Sequence, residues 1–339
     1  MTKRLLITGA GGSIGCHVLR HFLKNTDWDI VVIDSFRHKG LTDRIWRVTC
    51  KHPETLSRLT VLTHDLKAPI SDMLAAKIGT VDYIVNMASL TDVWESIQRP
   101  VQYVQSNVSE ILTVLEYARS VKPKIFLQVS TDEVYGPTDD KTFCKEWSPI
   151  LPSNPYSASK AAQEAIAIAY WRAYDLPLII VNMMNNFGEM QSPIKFMMLV
   201  MSAVNVDATV KIHGTPDDIG SRFYIHSRNA ADAFLFLLTN TKPFIHVNGE
   251  ADRPDRYNVT GERSVDNLEF AKLIASYWGR PLKYEFELGK VTRPGHDSHY
   301  GADGSKLAKL GWKMPVSFED SLRATVEWYK RNPEWLRPM

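Results

Sequence analysis

Short apolar runs alternate with amphipathic stretches through the first half of the chain. Arg4-Leu5-Leu6-Ile7-Thr8 is a continuous run of the kind a strand buried on both faces requires. Glycines follow at once, and then Val18, Leu19, Phe22 and Leu23 recur at helical spacing. A second run, Asp29-Ile30-Val31-Val32-Ile33, ends on Asp34, and similar runs occupy 59–62, 81–85, 124–129 and 178–181. Helix-like periodicity lies between them, most clearly at 104–118 and 157–174. Strands alternating with helices over this length predict an α/β fold built on a doubly wound parallel sheet. Beyond Asn185 the rhythm loosens. A short strand at 209–213 and the tail 305–314 suggest a smaller C-terminal α/β lobe, while 230–238 reads as a helix returning to the main sheet. The expected partition is discontinuous: residues 1–186 with 223–241 in one unit, and 187–222 with 242–339 in the other.

Composition narrows the class. The chain has 339 residues, 44% hydrophobic, 23% charged and 10% aromatic, without a long charge run or low-complexity tract. Forty basic residues against 38 acidic ones leave a formal charge of +2, which offers no broad basic field for nucleic acid. No stretch approaches the roughly 18–20 apolar residues that span a bilayer, and MTKRLLITGA is too soon broken by glycines for a signal peptide. Cys16, Cys50 and Cys144 are odd in number and lack metal-like spacing, so neither a disulfide framework nor a metal site is expected. A cytoplasmic protein without membrane or nucleic-acid partners is the resulting expectation.

Candidate chemistry begins at the first turn. Thr8-Gly9-Ala10-Gly11-Gly12-Ser13-Ile14-Gly15 places glycines between a strand and a helix, where backbone can approach a pyrophosphate at the positive helix end. Asp34 follows nineteen residues beyond Gly15, at the end of the next strand, placed to accept hydrogen bonds from an adenosine ribose. A carboxylate there favours NAD over NADP, although Arg37 stands three residues on. Asp65 and Leu66, after the third strand, are placed to touch the adenine. Together these define a Rossmann-type cofactor site.

The strand at 124–129 runs into Ser130-Thr131-Asp132-Glu133 at the carboxyl edge, where parallel sheets bind ligands. Twenty-three residues later comes Tyr156-Ser157-Ala158-Ser159-Lys160, which puts Tyr156 and Lys160 on one helix face. The Lys160 ammonium is expected to lower the Tyr156 phenol's pKa and to hold the nicotinamide ribose. Asp132 and Glu133, as neighbours, reach one substrate only if the chain bends after the strand.

These motifs resemble the extended short-chain dehydrogenase/reductase family, and within it the nucleotide-sugar 4,6-dehydratases of the dTDP-glucose 4,6-dehydratase type. The resemblance rests on TGAGGSIG, VSTDEVYG at 129–136, NPYSASKAAQE at 154–164, NNFG at 185–188, RFYIH at 222–226 and RPGHDSHYGADGSKLAKLGW at 293–312. It implies that Tyr156 takes the 4-hydroxyl proton while hydride passes to NAD, with Thr131 supporting that hydroxyl. Glu133 then removes the carbon 5 hydrogen, a protonated Asp132 protonates the departing 6-hydroxyl, and hydride returns to carbon 6. It also implies NAD contacts from Gly9, Gly12, Ser13, Ile14, Gly15 and Ala88. Nucleotide-sugar contacts are implied for Asn185, Asn186, Lys195, Arg222, Arg293, His296 and Tyr300, and a homodimer is implied through a four-helix interface.

The family pattern fails after the fourth strand. A carboxylate expected near Leu90, a His near Asp92 and an Arg near Glu95 are all replaced, His226 replaces an acidic residue, and Glu189-Met190-Gln191-Ser192 departs from the usual loop. These changes are read as altered specificity. Two alternatives stand beside the dehydratase: an epimerase or decarboxylase of the same family, which has no need of Asp132, and a non-catalytic NAD-binding scaffold.

Overall fold

The structure is a computed structural model and describes residues 2–38, 40–50, 52–246, 251–287 and 299–336. Its centre is a seven-stranded parallel sheet. β1 (Arg4–Thr8), β2 (Asp29–Asp34), β3 (Leu59–Thr63), β4 (Tyr83–Asn86), β5 (Ile125–Thr131) and β6 (Leu178–Met183) lie in the order β3-β2-β1-β4-β5-β6. The order reverses between β1 and β4, and a crevice opens there at the carboxyl ends of the strands.

Alternation along each strand explains why both faces are covered. Leu5 and Ile7 of β1, with Ile30 and Val32 of β2, enter one core. Leu6, Val31 and Ile33 enter the other. The first core is closed by α1 (Gly15–Asn25) and by a helix at Ser227–Asn240, which is longer than the apolar stretch that predicts it. After α2 (Leu41–Thr49), α3 (Asp72–Ile78) and α4 (Val93–Gln98), the second core is closed by α5 (Pro100–Val121) and α6 (Pro155–Tyr174), which bring Ile111, Val114, Leu115 and Trp171 onto the sheet.

The seventh strand corrects the expected partition. Asp255–Val259 pairs in parallel with β6, from Asp255 opposite Ile179 to Val259 opposite Met183, so a segment assigned by sequence to the second lobe completes the main sheet. Polar residues mask it from a hydrophobic-run reading, above all Arg256, which is buried against Glu164 of α6 at 2.6 Å. Elsewhere the second lobe has its own small sheet, in which Lys283–Glu287 pairs with Thr209–Thr215. The tail at 305–314 opens with a short helix, Ser305–Lys309, rather than a strand.

Candidate active site

The crevice between β1 and β4 is one continuous cleft. Its walls carry Gly9, Gly12, Ser13, Ile14, Gly15, Asp34, Asp65, Leu66, Ala88, Tyr156 and Lys160, which are all the residues expected from sequence to hold a dinucleotide. Backbone geometry at the turn needs glycine. Gly9 has φ +71°, a region costly for side chains, and a Cβ on Gly15 would collide with the Gly9 carbonyl oxygen. Asp34 is tied down by two backbone N–H donors, Gly11 at 2.9 Å and Phe36 at 3.1 Å, which orients its carboxylate into the cleft. Arg37 is drawn to acid: its guanidinium lies 3.0 Å from Asp65 and 4.0 Å from Glu110. These features fit a dinucleotide whose adenosine ribose carries no phosphate.

Farther along, β5 ends at Thr131 and the chain turns at once into a 3-10 turn, Asp132–Tyr135. The Thr131 hydroxyl accepts the Glu133 N–H at 3.3 Å and donates to Asp132 Oδ1 at 3.1 Å. This is the bend that two adjacent acids need to face one space. Glu133 is held in turn by the Asn154 amide at 3.3 Å and the Tyr300 hydroxyl at 3.5 Å. Asn154 also caps α6 in a reciprocal box with Ser157, so the group that starts the Tyr156 helix fastens Glu133 as well.

Electrostatics divide the groups. Burial pushes the Asp132 carboxyl up to about 7, and the Glu133 charge adds to the effect, while Arg222 opposes it. Asp132 is 3% exposed, and its Oδ2 has no hydrogen-bond partner among the described residues. Burial likewise pushes Lys160 down to about 8, against the pull of Glu164 and Glu110. The Tyr156 phenol is pushed up, first by burial and then by Glu133, with a Thr131 hydrogen bond opposing. The expected lowering of Tyr156 by Lys160 is therefore not what this arrangement produces. Lys160 Nζ is engaged instead with the Val129 carbonyl at 2.8 Å and Gln163 Oε1 at 2.6 Å.

The substrate-side residues divide unevenly. Arg222, on the strand Ser221–Phe223, stacks over the Tyr300 ring at 4.8 Å, and both join the Asp132–Glu133 end. Tyr300 thus sits beside the acids, together with Arg222. Asn186 was expected as an amide donor, but its Nδ2 donates to the Met184 carbonyl at 2.9 Å, leaving a buried Oδ1 acceptor. Asn185 contributes its backbone carbonyl to Ile225 N–H at 2.9 Å. Lys195 precedes the helix Phe196–Asn205, and no side-chain bond to the acids is present among the described residues. Arg293 and His296 lie outside the described residues.

At the departures, Asp92 caps a short helix by accepting the Glu95 N–H at 2.7 Å, and Glu95 accepts from the Tyr103 hydroxyl at 3.0 Å. Both have become structural. Leu90 remains on the cleft wall. Glu189 and His226, two more departures, meet His17: the Glu189 carboxylate is 3.2 Å from His226 and 3.6 Å from His17. The other His226 nitrogen accepts the Arg228 N–H at 3.0 Å, so the nitrogen facing Glu189 carries the proton in the neutral ring. That proton disfavours a metal ligand there and favours a buried hydrogen-bonded clasp on the Glu189 carboxylate.

Among the lining residues that the sequence reading missed, Glu110 carries a charge. Glu110 stands 6% exposed on the cleft side of α5, pushed up to about 7 by burial, with Asp65 reinforcing and Arg37 opposing. A charged residue among Ile111, Val114 and Leu115 on a buried helical face is the signal that would have found it.

The family model described as GDP-mannose 4,6 dehydratase matches residues 6–325. The chain belongs to this family. A probable dTDP-glucose 4,6-dehydratase from Sinorhizobium fredii is 32% identical over 356 residues, covering 99% of this chain and 95% of that protein. A dTDP-glucose 4,6-dehydratase from Streptomyces venezuelae, solved as a double mutant with NAD bound, superposes with a TM-score of 0.84 at 29% identity, covering 98% of this chain and 100% of that one. A UDP-glucuronic acid 4-epimerase from Bacillus cereus gives the same TM-score at 23% identity and shares the fold, with 97% and 99% covered. The family fold is thus common to dehydratases and epimerases, and the side chains must separate them.

Proposed function

We propose that this member of the family is an NAD-dependent nucleotide-sugar 4,6-dehydratase, converting an NDP-hexose to the NDP-4-keto-6-deoxyhexose. The observation that carries the reading is the Asp132–Glu133 pair at the turn after β5, one acid buried with its proton held near neutral pH and the other tied beside it. An epimerase has no use for that pairing, and a scaffold has no use for a buried acid whose Oδ2 is left without a hydrogen-bond partner among the described residues.

Gly9, Gly12, Ser13, Ile14 and Gly15 would hold the NAD pyrophosphate, Asp34 its adenosine ribose, Asp65 and Leu66 its adenine, and Lys160 its nicotinamide ribose. When bound, NAD would supply a reversible two-electron acceptor for the hydride that leaves carbon 4 and returns at carbon 6. Tyr156 takes the 4-hydroxyl proton, with Thr131 positioned to hydrogen-bond the oxygen. A phenol raised by burial is a strong base once ionised, and substrate binding beside Lys160 must supply the charge compensation. With carbon 4 a ketone, Glu133 removes the acidified proton from carbon 5. Asp132 donates its proton to the 6-hydroxyl, which leaves as water. Glu133 returns a proton to carbon 5. Arg222 and Tyr300, close to these acids, would orient the sugar diphosphate; Arg293, His296, Asn186 and Lys195 are proposed to assist.

A homodimer is proposed as the working form. The outer faces of α5 and α6 carry exposed apolar positions, Val101, Val104 and Leu112 on one helix and Ala158, Ala165 and Ala169 on the other. Two such pairs meeting would make a four-helix interface. No described helix is long and apolar enough to cross a membrane.

The mechanism is tested by running the reaction in deuterium oxide. Glu133 as base predicts one solvent deuteron at carbon 5 of the product. A converted sugar without deuterium at carbon 5 would contradict the proposal and favour 4-epimerisation.

A further inference from the structure

An ammonium has three N–H donors and no acceptor, so its aim is decided by whichever acceptors surround it. Two of the three at Lys160 are accounted for by Val129 O and Gln163 Oε1. Gln163 is fully buried and sits one turn beyond Lys160 on α6. Its amide has only one workable orientation. Nε2 donates to the Asn107 carbonyl of α5 at 2.7 Å, which turns Oε1 toward Lys160.

The same oxygen accepts from Gln128 Nε2 of β5 at 3.1 Å. Gln128 Oε1 accepts from Asn86 Nδ2 of β4 at 2.8 Å, and Asn86 Oδ1 accepts from the Thr8 hydroxyl of β1 at 2.7 Å. Thr8 Oγ1 in turn accepts the backbone N–H groups of Met87 and Ala88, at 3.0 and 3.1 Å. Reversing any amide in this row would set donor against donor or acceptor against acceptor. The row therefore has a single hydrogen-bond direction, and all its side chains are buried. It spans the sheet from the strand that enters the glycine turn to Lys160.

We propose that Gln163 is a positioning residue: it fixes the Lys160 ammonium so that its third N–H faces the cofactor cleft, and it sets that position relative to β1 and β4. The proposal rests on Lys160 holding the nicotinamide ribose. The charged groups facing Lys160 are Glu110 from α5 and Glu164 from its own helix, and both favour the ammonium. β5 offers it the Val129 carbonyl, and Tyr156 shares its face of α6. With burial already favouring the neutral amine, loss of the Gln163 oxygen should deprotonate Lys160 at lower pH, and a carboxylate in its place should keep it charged to higher pH.

The test measures NAD affinity of the full-length protein by calorimetry across pH, alongside the pH profile of turnover, in Gln163→Leu, Gln163→Met and Gln163→Glu. Wild-type affinity should fall as pH rises through about 8. In Gln163→Leu that limb should move down by about one unit and kcat should fall by roughly tenfold, with KM for the nucleotide sugar little changed. Gln163→Glu should move the limb upward and recover part of kcat. Gln163→Met, which keeps the side chain's length, repeats the Leu result where Gln163→Leu folds poorly. Limbs that coincide in all variants, with kcat within about twofold of wild type, would overturn the proposal. A wild-type protein that converts no nucleotide sugar would sink the dehydratase reading alone, because the affinity limb still reports on Gln163.

Discussion

Burial and the Glu133 charge act in the same direction on Asp132, and the outcome is an acid poised near the pH at which it must donate. Two consequences follow from the sign of that shift. Water loss should slow as pH rises through about 7, because the donor form of Asp132 disappears there. Stability moves in parallel. A carboxyl raised in the folded chain contributes fully below its unfolded value and loses that contribution as pH rises through about 7. Asp132→Asn, which stays neutral, should therefore melt higher than wild type at pH 8 and no higher at pH 4, as differential scanning calorimetry would show. The same variant should still oxidise carbon 4, so reduced cofactor should accumulate at 340 nm without release of water. Tyr156→Phe should abolish that signal too, lowering turnover by at least about a thousandfold with an unchanged circular dichroism spectrum. Both acids and Tyr156 were legible from sequence because strand end and helix face are local properties. The direction of the Tyr156 shift was not, because it depends on burial and on Glu133, twenty-three residues away. Gln163 and Glu110 escaped for a related reason: a polar residue on a buried helical face looks like an ordinary surface residue until its neighbours are known.

Elements carry the next layer. The turn between β1 and α1 reads directly from its glycines, since Gly15→Ala would drive a methyl group into the Gly9 carbonyl. That substitution should cost nucleotide retention, measured by releasing and quantifying bound NAD after denaturation. Six of the seven central strands were visible as apolar runs. The seventh, Asp255–Val259, was hidden by Asp255, Arg256 and Asn258, whose partners lie in other elements. Arg256 and Glu164 are both fully buried and bind α6 to that edge strand. Glu164→Ala would leave the guanidinium uncompensated, and chemical denaturation should register a loss of about 3–5 kcal/mol. Activity at low temperature should suffer less than stability, because Glu164 touches neither acid.

At the scale of the molecule, a shared fold gives dehydratases and epimerases the same sheet, and the departures at Leu90, Asp92, Glu95, Glu189 and His226 are what the sequence offers as marks of altered specificity. Structure turns Asp92 and Glu95 into helix-stabilising groups and Glu189 with His226 into an internal clasp. On the proposed reading, the sugar pocket differs from one built on a carboxylate, a His and an Arg at those places. The proposed assembly enters the sequence reading only as a family property, since exposed apolar positions on α5 and α6 look like core positions in a one-dimensional pattern. Ala165→Arg should convert a dimeric sedimentation species to monomer with little change in the spectrum of the folded chain; wild-type sedimentation as a monomer at micromolar concentration would overturn the assembly.

The most direct measurement incubates the purified protein with dTDP-, UDP-, CDP- and GDP-hexoses, UDP-glucuronate and UDP-N-acetylglucosamine, and follows each by mass spectrometry. The account predicts that one of these nucleotide sugars loses a single water without net consumption of NAD, and that Asp132→Asn stops the loss. A product lighter by carbon dioxide, or one of unchanged mass and new retention, would contradict it.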